Sequence, residues 1–202
     1  PVALEAGRMD VVTDQVFRAA MAQAGTWGAL GYDLGVAVNF AVDDLRRLDL
    51  PEYIVACAND EGVDPGKVTL EVTESRVMTD FRVPLEILAR LRLRRVGLSI
   101  DDFGKAYSSV ERIRHIPFTE MKVDREFVYG ASADLAARTI LESSIALGRS
   151  LGLALVAEGV ETNEDWDLVQ RLGCDFVQGY FVARPMTGDE IPDWVTAWAA
   201  AS

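Results

Sequence analysis

The chain is expected to fold as an α/β protein of the TIM-type (β/α) barrel class, and three observations lead there. Six short β-rich runs alternate with helical pattern along 202 residues, the sequence form of repeated βα units and a parallel sheet. Polar residues stand at or near the C-terminal ends of those runs: Asn39, Glu71 with Glu74, Asp101 with Asp102, Lys122 with Asp124, Glu158 with Glu161, and Gln178. In a barrel the strand ends converge on one mouth, so groups scattered along the chain meet in space. A doubly wound sheet gathers fewer of them, and no GxGxxG or P-loop follows the first run to suggest an open nucleotide-binding sheet.

The elements follow in order. The chain opens in helical pattern, with Val16, Ala20 and Ala24 spaced to share one face. Strands are expected at residues 34–40, 68–74, 97–102, 120–127, 154–160 and 175–181, as apolar runs buried on both faces. Leu85, Leu88 and Leu91 mark the helix between the second and third strands, and Ala136, Ile140 and Leu147 one that ends near Gly152. Thr162 with Asp165 three residues on is a capping-box pattern, and Gly173 closes that helix after Leu172. Residues 189–200 form a plausible terminal helix. A complete barrel has eight strands and typically about 250 residues. About six of eight βα units are therefore present, with the missing strands expected before Pro1.

Composition limits the function. Half of the residues are hydrophobic, which suits one domain with a sizeable core. Arg149 interrupts the best apolar run, and no secretory signal opens the chain, so a soluble domain without membrane contact is expected. Cys57 and Cys174 lie far apart without CxxC spacing, as expected of buried thiols in a reducing, cytoplasmic setting. The net charge of -12 argues against duplex nucleic acid, whose binding draws on Lys and Arg. A small anionic ligand is still allowed, because bound cations invert a local field. His115 is the only histidine, which excludes His-rich zinc sites and leaves oxygen ligands, hence Mg²⁺ or Mn²⁺, as the natural metal chemistry.

Asp101 and Asp102 sit side by side where a strand-like run meets Phe103-Gly104. Their charges repel, and a regular strand would point them to opposite faces. Both serve one site only where the strand breaks and a cation holds them, the alternative being a solvated acidic turn. Glu71, between Leu70 and Val72, requires a partner because an unpaired buried carboxylate costs several kcal/mol. That partner is a metal ion or Lys122 in a structural ion pair. Asn39 alone reads equally as a cap or turn residue, Asp124 as an N-cap or a salt-bridge partner of Arg125, and His115 as an ordinary surface residue.

Five ordered motifs then carry a family resemblance. Leu70-Glu71-Val72-Thr73-Glu74-Ser75, Ile100-Asp101-Asp102-Phe103-Gly104 with Tyr107-Ser108-Ser109, Met121-Lys122-Val123-Asp124-Arg125, Val156-Ala157-Glu158-Gly159-Val160-Glu161-Thr162 and Val177-Gln178-Gly179-Tyr180-Phe181 with Arg184-Pro185-Met186 closely resemble EAL domains. That family comprises bacterial cyclic di-GMP phosphodiesterases and their inactive relatives. The resemblance implies a single EAL-type domain over residues 1–202, truncated at its N-terminus, within a larger multidomain signalling protein. It implies two divalent ions, Mg²⁺ or Mn²⁺, with Asn39, Glu71 and Asp101 on one, Asp101 bridging to a second, and Asp102 and Glu161 serving the second. Lys122 and Glu158 would handle the attacking water, with Glu74 supporting the catalytic loop from below. Gln178, Arg184 and Pro185 would meet the substrate, and Phe103, Gly104, Lys105, Ala106 and Tyr107 would form a regulatory loop.

The implied reaction is hydrolysis of cyclic di-GMP to linear pGpG. The implied partners are a second copy of the chain and a fused sensor, response-regulator or GGDEF domain. A non-catalytic cyclic di-GMP receptor or degenerate EAL module is the alternative, and another Mg²⁺-dependent barrel enzyme a remoter one. Two departures bear on activity. The Glu-Ala-Leu segment that names the family is expected before Pro1, so the 202-residue chain by itself is expected to be inactive or nearly so. In the loop after Asp102, Lys105-Ala106 stands where the family usually has Thr-Gly, adding a cation beside the aspartates.

Overall fold

The structure is a computed structural model that describes residues 9–41, 44–73, 82–105 and 110–201. Its strands are β1 (Val36–Asn39), β2 (Val68–Thr73), β3 (Gly97–Phe103), β4 (Glu120–Val123), β5 (Ala154–Glu158) and β6 (Phe176–Gln178). They form one sheet in the order β1-β2-β3-β4-β5-β6, with every neighbouring pair parallel. Strictly sequential parallel order is barrel topology, since a doubly wound sheet reverses its growth at a switch point. The sheet curls into a half-barrel. Its helices are α1 (Met9–Ala29), α2 (Leu50–Asp60), α3 (Arg82–Leu93), α4 (Val110–Ile113), α5 (Arg125–Val128), α6 (Leu135–Ser150), α7 (Asn163–Leu172) and α8 (Ile191–Ala201).

The register separates the two faces of the sheet. Val38, Leu70 and Leu98 lie side by side, as do Val72, Ile100, Met121 and Leu155, and all of them are buried. This apolar face joins Phe17 and Met21 of α1, Ile54 of α2, Ile87, Leu88 and Leu91 of α3, Leu141 and Ile145 of α6, and Leu168 of α7 in one core. Each fully buried side chain of this kind contributes about 1.5–3 kcal/mol. The opposite face carries Asn39, Glu71, Ser99 and Glu120 in one row, with Asp101, Lys122 and Glu158 further toward the strand ends. The central strands β2 to β5 are buried on both faces, as expected, and the second face gathers the buried polar side chains Glu71, Ser99 and Lys122.

Four expectations change. The strand expected over residues 120–127 ends at Val123, because the Asp124 carboxylate accepts the Glu126 backbone N–H at 2.8 Å and starts α5. On α1 the buried residues are Thr13, Phe17, Met21 and Ala24, while Val16 is 51% exposed; the larger Phe17 and Met21 take the core positions. On α6 the buried residues are Leu141, Ser144, Ile145 and Gly148, leaving Ile140 partly exposed. Gly148 explains the offset: a Cβ there would sit 2.7 Å from Met121 Cε, so the glycine lets α6 close onto the sheet. The α7 capping box is half formed. Thr162 Oγ1 accepts the Asp165 N–H at 3.1 Å, but the Asp165 carboxylate accepts the Gly130 N–H at 3.2 Å, tying α7 to the turn after α5. Gly173 ends the helix at φ +75°, as expected.

Candidate active site

The exit of β3 resolves how two adjacent aspartates serve one mouth. Ile100 pairs with Met121 and Phe103 with Val123, so Asp101, Asp102 and Phe103 stand opposite Lys122 and Val123. One extra residue makes a β-bulge, and Asp102 takes φ +59°, in the left-handed region. The bulge cancels the alternation that would otherwise send the two carboxylates to opposite faces. Gly104 follows at φ +105°, and a Cβ there would lie 2.8 Å from the Phe127 ring, so glycine is required for this turn.

Lys122 is the centre of the polar face. Its ammonium lies 2.6 Å from Glu158 Oε1, 3.0 Å from Glu71 Oε1 and 3.3 Å from Asp101 Oδ1. Its side chain is 6% exposed, and those of Glu71, Asp101 and Glu158 are 10%, 15% and 17% exposed. Burial pushes the Glu71 and Glu158 carboxyls above the usual range, although Lys122 pulls each back. Burial would also lower the Lys122 ammonium, but Glu158, Glu71 and Asp101 together hold it above its ordinary value. The cluster contains a charged lysine with carboxyls inclined to take a proton.

A second cationic centre lies beside it. Lys105 Nζ is 2.7 Å from Asp124 Oδ2 and 3.0 Å from Asp102 Oδ1. Burial acts to raise the Asp124 carboxyl, yet Lys105 and the Glu126 N–H hold it below the usual range. Arg125 reaches Glu161 Oε1 at 2.9 Å, with its guanidinium 5.5 Å from the Tyr129 ring centroid. Gly159 makes room at φ +69°, where a Cβ would collide with the Arg125 side chain. Lys105, Asp124, Arg125, Glu126 and Tyr129 line an open cavity of about 520 Å³.

The remaining expected residues are distributed around these centres. Asn39 ends β1 beside Glu71 in register and is exposed, and Gln178 ends β6 beside Glu158. Arg184 lies over the Tyr180 ring at 4.7 Å and Pro185 is exposed, both beyond β6. Phe103 is buried and Gly104 half-buried. Glu74, Ala106 and Tyr107 lie outside the described residues. His115 is exposed and both cysteines are free, with burial raising the Cys174 thiol to about 11. Sequence reasoning missed the Arg125–Glu161 pair and left Asp124 between two roles; the structure makes Asp124 an N-cap and pairs it with Lys105. The helix-starting position of Asp124 was the available signal for the first role.

The donor set suits a hard divalent cation, since Asn39, Glu71, Asp101 and Asp102 supply only oxygen and stand on neighbouring strand ends. Three carboxylates already converge on one cation, the Lys122 ammonium. Among the described residues no three His, Cys, Asp or Glu side chains are close enough to hold an ion as they stand, and Lys122 and Lys105 already engage Asp101 and Asp102. The residues therefore fit a metal in chemistry and require side-chain adjustment to seat it.

Comparison with known proteins agrees with this architecture. The EAL domain family model matches residues 1–185. The chain is 33% identical over 201 residues to the oxygen sensor protein DosP of Escherichia coli K12, covering 98% of this chain and 25% of DosP. It is 33% identical over 195 residues to the cyclic di-GMP phosphodiesterase PA2567 of Pseudomonas aeruginosa, covering 96% of this chain and 33% of that protein. The chain thus spans a quarter to a third of the length of these relatives. Among solved structures, the PaMucR phosphodiesterase in complex with c-di-GMP superimposes with a TM-score of 0.88 at 35% identity, over 95% of this chain and 78% of that one. Klebsiella pneumoniae BlrP1, in a manganese and cyclic di-GMP complex, gives 0.81 at 29% identity, over 89% and 45%. A family match over most of the sequence, on a sheet curled as in the solved relatives, makes this chain a member of the EAL domain family.

Proposed function

We propose that the protein hydrolyses cyclic di-GMP to linear pGpG with the help of divalent metal ions, in bacterial second-messenger signalling. The observation that carries this reading is the buried Lys122 held by Glu71, Asp101 and Glu158 at the C-terminal ends of four neighbouring strands. A purely structural role would more simply be filled by apolar side chains, since a buried ion cluster is weak support for stability. Relatives named as cyclic di-GMP phosphodiesterases support the substrate, and structures of BlrP1 with calcium or manganese support a divalent ion.

In this reading Asn39, Glu71, Asp101 and Asp102 would hold the ions, with Glu161 near the second. Bound there, the ions would supply activation of a water and charge stabilisation for an in-line displacement at phosphorus. The chain's own groups do the rest. Lys122 donates a hydrogen bond that orients the attacking water, and its positive charge offsets the repulsion among the carboxylates. Glu158, raised by burial, accepts the water proton at a carboxylate oxygen. The water oxygen bonds to phosphorus, the P–O3′ bond breaks, and O3′ leaves and takes a proton from solvent, opening one of the two phosphodiester links, while Glu158 returns its proton to solvent. Gln178, beside Glu158, contacts the nucleotide together with Arg184 and Pro185, and Glu74 braces the loop after Asp102.

We further propose that this single domain works within a larger cytoplasmic signalling protein, as a homodimer joined to a sensor, receiver or GGDEF domain. The names of DosP, an oxygen sensor, and of MucR, a bifunctional cyclase and phosphodiesterase, support the multidomain setting. Among the described residues no helix is long and apolar enough to cross a membrane. A non-catalytic receptor is the second reading, favoured by Lys105, which engages Asp102. Incubation of the intact protein with cyclic di-GMP and Mn²⁺ separates the two. Linear product supports hydrolysis, and binding without product supports the receptor.

A further inference from the structure

We propose that Lys105 is a built-in counter-cation of the Asp102 and Asp124 carboxylates that competes with a divalent ion for Asp102, so residue 105 sets how tightly the second ion binds. This inference rests on the metal-dependent reading above. The Lys105 ammonium makes two charge-assisted contacts, at 2.7 Å to Asp124 Oδ2 and 3.0 Å to Asp102 Oδ1. Its backbone N–H also returns to the Asp102 carbonyl at 3.3 Å, so the turn after the bulge delivers the side chain onto its neighbours. Asp124 is committed at both oxygens, since Oδ1 already accepts the Glu126 N–H. Asp124 thereby anchors the ammonium next to Asp102.

The two lysines of the mouth differ in a way that assigns them different work. The Lys122 side chain is 6% exposed and enclosed by three carboxylates, whereas that of Lys105 is 45% exposed and lines the open cavity with Arg125 and Tyr129. Lys105 can swing into that cavity and release Asp102. A divalent ion on Asp102 and an ammonium on the same carboxylate repel each other, so each ion bound there must first displace Lys105. Asp101 is paired instead with Lys122, and no Lys105 contact to it is found among the pairs described. Residue 105 is therefore expected to act on the ion at Asp102 and not on the one held by Glu71 and Asn39.

Mn²⁺ titration of the intact protein without nucleotide, followed by calorimetry and by the paramagnetic resonance signal of free Mn²⁺, tests this. Lys105→Gln is expected to strengthen the binding of one ion about tenfold, the scale of one lost charge-assisted competitor, and to leave the other unchanged. Lys105→Arg, which keeps the charge, retains the wild-type affinities. A folded Lys105→Gln protein with wild-type affinity for every ion bound, or one in which both ions tighten alike, overturns the proposal. Asp101→Asn separates the failures. If it binds Mn²⁺ as the wild type does, the metal-centre reading falls and this inference with it. If it loses binding while Lys105→Gln changes nothing, only the inference falls.

Discussion

Replacing Lys122 with Met removes the one cation that Glu71, Asp101 and Glu158 share at 2.6–3.3 Å. All four side chains are less than a fifth exposed, so solvent screens the loss poorly. Deleting one partner of a buried ion cluster costs about 3–5 kcal/mol, because the remaining charge is left without compensation. The cost must depend on pH. The Glu71 and Glu158 carboxyls already lie above their ordinary 4.5, burial being the largest cause, and without Lys122 they rise further. A carboxyl raised in the folded state binds more protons folded than unfolded. Its contribution to stability is complete below the unfolded value and is lost as pH rises through the folded one. Urea unfolding in EDTA should therefore show a loss of about 3 kcal/mol or more at pH 7.5 that shrinks toward pH 5. A loss below about 1 kcal/mol, the scale of an exposed ion pair, or one that grows on acidification, would refute the reasoning.

Other substitutions test separate parts of the account. Asp101→Asn should lower turnover at least about a hundredfold while circular dichroism stays near wild type, since Glu71 and Glu158 still hold Lys122; undiminished hydrolysis removes Asp101 from the metal centre. Gly159→Ala places a Cβ at φ +69° against the Arg125 side chain and should cost about 1–2 kcal/mol in denaturant unfolding. A crystal structure of that variant should show the Arg125–Glu161 contact broken, and an intact contact with no stability loss contradicts the assigned role of the glycine. Thr162→Ala removes the side-chain cap of α7 and should cost about 1 kcal/mol, measured the same way. No change there would mean that solvent satisfies the Asp165 N–H equally well.

Fold class was legible because the strands alternate with helices and each carries a polar group at its exit, features that survive in one dimension. Glu71 was legible as a site residue for the same reason: a carboxylate between Leu70 and Val72 demands a partner, and Lys122 is there at 3.0 Å. The bulge at Asp102 was only half visible. The Asp-Asp pair demanded a break in the strand, but the register shift against β4 depends on which residues pair across the sheet. Residues 120–127 show local sequence competing with pattern, since β-rich composition continues past Val123 while Asp124 caps a helix turn. Helix faces failed by rotation. Val16 and Ile140 satisfy a helical period, yet Phe17 and the glycine contact at 148 decide which stripe meets the sheet. The Arg125–Glu161 pair was invisible because it joins residues from separate strand exits, across a glycine whose role is to leave space.

The most direct measurement follows cyclic di-GMP incubated with the intact protein and Mn²⁺, resolved by chromatography with the wild type beside Asp101→Asn and an EDTA control. Time-dependent appearance of pGpG in the wild type alone, lost in both controls, is the predicted result. Cyclic di-GMP that stays bound and uncleaved in the presence of Mn²⁺ would contradict the account.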